Sequence, residues 1–147
     1  MEQIDLIQAR QVWNRVRGGQ TREEPLQALT ALELETELFY SQLARLPMLS
    51  GTRLMARLRQ ENRSFLRILA GIGALTDLPR QAMPRHSLRG TPEGMAQQCW
   101  ELRKKALALL EEAQLPGLPQ AVTEQLRDRY ESHSLAVLEL LGVLQGR

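Results

Sequence analysis

TDLPRQAMPRHSLRG, residues 76–90, is the stretch on which the architecture turns. Pro79 and Pro84 lack an amide hydrogen and clash with the preceding turn, so no continuous helix can pass through it. The segments on either side read as helix. A helix of about 24 residues is roughly 36 Å long, and about 15 extended residues reach roughly 50 Å. The stretch is therefore long enough to carry the chain from one end of a helical layer to the other. The interruptions at Pro47–Gly51 and at LPGLP, residues 115–119, are short and can only reverse it.

Working outward, the spacing predicts a third helix from about Thr52 to Leu75 and a second from Thr21 to about Arg45, ending at Leu46-Pro47. Thr21-Arg22-Glu23-Glu24 reads as a capping box, in which hydroxyl and carboxylate satisfy free backbone amides. Thr91-Pro92-Glu93 starts the fourth helix with an N-cap, a first-turn proline and an acid. That helix runs to about Gln114, and the fifth from about Gln120 to Leu144. A short first helix, about Glu2 to Arg17, ends at Gly18-Gly19, which suits a left-handed cap. The expectation is one all-α domain over 1–147. It comprises an accessory helix (1–19), a first antiparallel hairpin (21–75), a crossover (76–90) and a second hairpin (91–147), closing into a four-helix bundle.

Composition agrees. The 147 residues are 43% hydrophobic and 24% charged, rich in Leu, Ala, Gln, Glu and Arg and poor in β-branched residues and aromatics. The net charge is only +2, with arginines spread among acids, so nucleic acid is not the expected partner. Cys99 is the only cysteine, which excludes an intramolecular disulfide and suits a reducing cytoplasm. MEQIDLIQAR lacks the apolar core of a signal peptide, and no run approaches a membrane span.

At 100° per residue the apolar stripes can be located. Leu26, Leu29, Thr36 and Tyr40 surround Glu33 in the second helix; Leu54, Leu58, Phe65, Ile68 and Ile72 surround Glu61 in the third. A carboxylate in an apolar stripe must be paired, protonated or bound, because burying it bare is costly. Arg57, one turn before Glu61, supplies an ion pair. Glu33 has no local cation and is left to Tyr130, Ser64 or His133 across the bundle. In the fourth helix Met95, Cys99, Leu102, Ala106, Leu109 and Ala113 form the stripe, with Glu101 off it. In the fifth, Thr123, Leu126, Tyr130, Val137, Leu141 and Leu144 do so, flanked by His133 and Ser134, with Glu131 pointing away.

With Glu33 and Glu61 in these positions, ALELETELFYSQLA and RLRQENRSFLRIL resemble the first two core helices of the ferritin-like superfamily, within it the rubrerythrin-like small bundles. The long central crossover permits the ferritin-like order. The resemblance implies a ferritin-like four-helix bundle with an extra N-terminal helix. It also implies a core site in which lone glutamates from two helices and Glu-x-x-His from the other two enclose two metal ions. Matched residue by residue, that site is depleted. Glu33 is the first lone Glu. Glu61 keeps its place but its His partner is Ser64. Leu102, or off-stripe Glu101, stands at the second lone Glu. Tyr130 precedes His133 where Glu should be; a one-residue shift would give Glu131 with Ser134, against the stripe.

Three readings follow. The first is a structural or interaction module that has lost full di-iron redox chemistry and has no cofactor. The Trp13-bearing N-terminal helix would then serve as the surface for a homodimer or protein partner. The second is a residual metal binder, with Glu33, Glu61 and His133 holding one iron, manganese or zinc ion. The third is an atypical rubrerythrin-like oxidase or peroxidase. His86, in the crossover, stands outside any nucleophile motif.

Overall fold

A computed structural model describes residues 23–75, 90–112 and 119–146. The expected N-terminal helix, its Gly18-Gly19 end, the Thr21 capping hydroxyl, most of the crossover and most of LPGLP lie outside these residues. Among the described residues all regular structure is helical: α1 Glu23–Leu43, α2 Arg53–Leu75, α3 Pro92–Glu112 and α4 Gln120–Leu144. Two predicted starts carry their caps. The Thr52 hydroxyl accepts the Met55 amide at 3.3 Å, and the Thr91 hydroxyl accepts the Gly94 amide at 3.0 Å. Between α1 and α2 the chain reverses through Leu46–Leu49 and Leu46–Ser50 backbone bonds. Gly51 there takes φ +74°, a left-handed conformation that favours glycine.

α1 packs on α2 and α3, and α4 packs on α2 and α3; the diagonal pairs α1/α4 and α2/α3 have no direct backbone packing. Two apolar clusters give the directions. One gathers Phe39 and Leu43 from the end of α1, Met55 and Leu58 from the start of α2, Met95 and Cys99 from the start of α3, and Leu140 and Leu144 from the end of α4. The other gathers Leu26 and Leu29, Leu69 and Ile72, Ala106 and Leu110, and Leu126 and Tyr130 from the opposite ends. Neighbouring helices are therefore antiparallel, while the diagonal pair α2 and α3 is parallel. The end of α2 and the start of α3, which residues 76–91 join, lie at opposite ends of the bundle.

The clusters cap the two ends, and the polar residues considered below sit between them. Each apolar stripe is the helical periodicity of its sequence made physical, with Leu29, Leu43, Leu58 and Phe65 wholly buried. Leu43→Ala is expected to lower stability by about 2–5 kcal/mol in chemical denaturation, through lost transfer energy and the cavity left behind. Met48→Ala, at a position 54% exposed, is expected to shift it by less than about 0.5 kcal/mol.

Candidate functional site

Four helices send polar side chains to the middle of the bundle. Glu33 (α1) and Arg103 (α3) are both 0% exposed, and Arg103 Nη1 donates to Glu33 Oε2 at 2.7 Å. Glu33 Oε1 accepts from Asn62 Nδ2 (α2) at 2.8 Å, and the same amide nitrogen reaches the Glu33 carbonyl at 3.0 Å. Arg103 Nη2 donates to Thr36 Oγ1 at 2.8 Å, whose hydroxyl donates on to the Leu32 carbonyl. Burial alone would push the Arg103 guanidinium down; the Glu33 charge and hydrogen bond, together with contributions from Tyr40 and Tyr130, outweigh that and hold it above its ordinary value. Arg103 is thus a cation in the interior, kept charged by its partner. Its guanidinium also lies 5.5 Å from the Tyr130 ring centroid, within cation–π range.

Beside this pair runs a second chain of bonds. Tyr40 Oη (α1) is 2.7 Å from His133 Nε2 (α4), and His133 Nδ1 is 2.9 Å from Glu61 Oε1 (α2). The protons follow from the chemistry. Hydrogen bonding from His133 holds the Glu61 carboxyl below its usual value, so it accepts and Nδ1 carries the hydrogen. Burial pushes the Tyr40 phenol well above its usual value, so it remains an O–H donor to Nε2. Burial likewise holds His133 below its usual value, with the Arg103 charge acting the same way, although the Glu61 bond opposes them. The histidine is therefore neutral and both its nitrogens are satisfied. Glu61, with 29% side-chain exposure, forms the solvent end, and Arg57 Nε lies 3.5 Å from its other oxygen.

Several sequence expectations change here. Glu33 does have a cation, Arg103, supplied from another helix. The position across from Glu33 in α3 belongs to neither Leu102 nor Glu101. Leu102 is buried in the apolar cluster, and Glu101 is exposed and paired with Lys104 at 2.9 Å. Glu61 lies at the edge of its stripe, whereas Asn62, 1% exposed, is buried within it. The Arg57–Glu61 pair forms, but His133 is the nearer partner. Tyr130 is wholly buried, and Glu33 acts on it electrostatically. Its hydroxyl nevertheless reaches no hydrogen-bond partner among the described residues, nor does Arg103 Nε. Ser64 accepts from Arg129 at 2.9 Å. Glu131 is exposed, as expected. Arg103 and Asn62 were detectable by register alone: Arg103 is four residues after Cys99 and three before Ala106, and Asn62 is four after Leu58 and three before Phe65.

Compared with known proteins, the chain matches no family model, curated protein or solved structure.

The donor set can be tested on its own geometry. Glu33, Glu61 and His133 are not gathered into one ligand group: among the described residues no three or more His, Cys, Asp or Glu side chains could hold a metal ion together. Both oxygens of Glu33 are engaged, and a divalent ion beside them would face a buried guanidinium. These residues do not fit a di-metal centre. Cys99, whose thiol burial pushes up to about 12, is an inert core residue. Two surface grooves, one lined by α2 residues including Arg59, Arg63 and Arg67, the other by α1 and α3 residues including Ala28, Leu32 and Ala108, do not include Glu33, Tyr40 or His133 in their walls.

Two outcomes are expected. Arg103→Met strands a buried carboxylate and lowers stability by about 3–5 kcal/mol, while Glu33→Leu combined with Arg103→Met recovers most of that loss, as a double-mutant cycle in urea would measure. The pH profile has a definite sign. His133 is harder to protonate folded than unfolded, so its contribution is complete above about pH 6.5 and lost as pH falls below it. Glu61 is held ionised, so its contribution is complete above about pH 4.5 and lost below that. Unfolding free energy measured between pH 7 and 5 is expected to fall with acid in the wild type and to flatten in His133→Gln.

Proposed function

We propose that this chain is a ferritin-like bundle of the rubrerythrin-like small type whose interior metal position has been taken over by an internal ion pair, and that it acts as a structural or interaction module. The observation that carries the reading is the Arg103 guanidinium, wholly buried and 2.7 Å from the Glu33 carboxylate. In a di-metal bundle the charge of inward carboxylates is neutralised by cations bound from solution. Here a covalently attached cation does that work, and it cannot exchange, change valence or open a coordination position.

Further support comes from the helix order. Two antiparallel hairpins with α2 parallel to α3 across the diagonal require a full-length crossover, the ferritin-like arrangement. His133 and Glu61 occupy inward positions suited to ligands, yet they hydrogen-bond each other and Tyr40. The second reading, a residual metal binder with Glu33, Glu61 and His133 holding one iron, manganese or zinc ion, requires His133 to give up its bonds to Tyr40 and Glu61. No helix among the described residues is long and apolar enough to cross a membrane.

Elemental analysis of the full chain, as purified and after incubation with ferrous, manganous or zinc ions, separates these readings. Well under one ion per chain is expected. Stoichiometric metal that disappears in Glu61→Ala and Glu33→Ala would overturn the module reading. Peroxide or oxygen turnover after iron loading would establish the oxidase or peroxidase reading instead.

A further inference from the structure

The outer surface of the bundle is unevenly dressed. Among the described residues the exposed large apolar side chains are Met48, Val122, Leu135, Leu138 and Val143, and all but Met48 belong to α4. Leu135 is 67% exposed. Charge is also segregated. α2 exposes Arg53, Arg57, Arg63 and Arg67, while its single acid, Glu61, is turned to His133. α4 exposes four acids, Glu124, Asp128, Glu131 and Glu139, against one exposed arginine, Arg129. Of these, only Arg57 is in an ion pair among the described residues.

Two seam bonds locate the face that α2 and α4 share. Arg57 Nη2 donates to Ser132 Oγ at 3.1 Å, and Arg129 Nη2 donates to Ser64 Oγ at 2.9 Å. On α2, Arg53, Gln60 and Arg67 recur every seven residues beside Arg57 and Ser64. On α4, Asp128, Ser132, Leu135 and Glu139 recur at three- and four-residue spacing, so each set forms one line along its helix. Because the helices are antiparallel, the seam bonds and the Glu61–His133 contact bring Arg53 level with the turn holding Glu139. They bring Arg67 level with the turn before Asp128, and Leu135 level with the turn around Arg57.

We propose that two copies of this chain associate through the α2/α4 face, about a two-fold axis parallel to the bundle. Such an axis lays each α2 on the partner's α4 and leaves height along the bundle unchanged, so the register is dictated rather than adjustable. Arg53 then meets the partner's Glu139, Arg67 meets the partner's Asp128, and Leu135 is covered by the aliphatic stems of the partner's Arg57 and Gln60. A two-fold axis across the helices would instead set arginines against arginines. A phosphate backbone laid along the arginines would meet Asp128 and Glu139 on the same face; a second copy meets each charge with its opposite. The face is about 30 Å by 20 Å, or roughly 600 Å² per copy, towards the lower end of specific interfaces. The dimer is accordingly modest in affinity and sensitive to salt. The inference names the partner for an interaction module, but it is read from mass whereas metal content is read from composition, so either can fail alone.

Sedimentation equilibrium on the full chain tests it. The expected mass at low salt is about twice the 16.7 kDa of one chain, decreasing as salt is raised. Arg53→Glu with Arg67→Glu weakens association at least about tenfold, as does Asp128→Arg with Glu139→Arg, while all four together restore it. Leu135→Lys weakens it without exchanging those charges. Thermal melting verifies that each variant is folded. A monomer at all concentrations overturns the proposal, and so does a dimer indifferent to both reversals. A dimer lost in Trp13→Glu but retained in the reversals moves the interface to the N-terminal segment and also overturns it.

Discussion

The interior of this bundle is organised around one charge that could not be there alone. A guanidinium transferred from water to an apolar core carries a penalty of several kcal/mol. Arg103 is tolerated only because Glu33 and Thr36 meet it with an anion and a hydroxyl, while the Asn62 amide donates to the other Glu33 oxygen. The dependence is mutual, since Glu33 would otherwise be the bare buried charge. Three helices are tied to one another through these contacts: α1 supplies the carboxylate and hydroxyl, α2 the amide and α3 the cation. Shifting any of them by one residue would rotate its polar group out of reach and bury an unpaired one.

The neighbouring chain of Tyr40, His133 and Glu61 extends that constraint to the fourth helix and to the diagonal. α1 and α4 have no direct backbone packing, yet Tyr40 and His133 join them at 2.7 Å. Leucine and alanine clusters accept many rearrangements at similar energy, whereas directed bonds specify both height and rotation. The apolar clusters at either end supply most of the burial; the polar layer between them selects one register. A neutral histidine with both nitrogens engaged and a phenol kept protonated suit such a positional role. Neither has a coordination position or a described groove through which a substrate would reach it.

For function, the central chemical fact is that the buried Glu33 charge is neutralised by a cation of the same chain, Arg103. The carboxylates of Glu33 and Glu61, on two helices, each have a protein partner, Arg103 and His133. On the described surface, the exposed arginines of α2 other than Arg57 and the exposed acids of α4 have no ion pair among the described residues.

The sequence by itself determined that the chain is helical, where α2, α3 and α4 begin, and that Glu33 is buried, because periodicity, caps and proline are local properties. It also predicted the Arg57–Glu61 pair, which is set by a spacing of one turn along a single helix. What only the tertiary structure decided was who neutralises whom. Glu33 and Arg103 are 70 residues apart, and Glu61 and His133 are 72 apart, so no local spacing links them. Arg103 lay on its stripe by register, but a lone arginine there reads as a surface residue until the anion facing it is known. Burial of a charge is a property of pairs, and pairs across helices exist only once the bundle has closed.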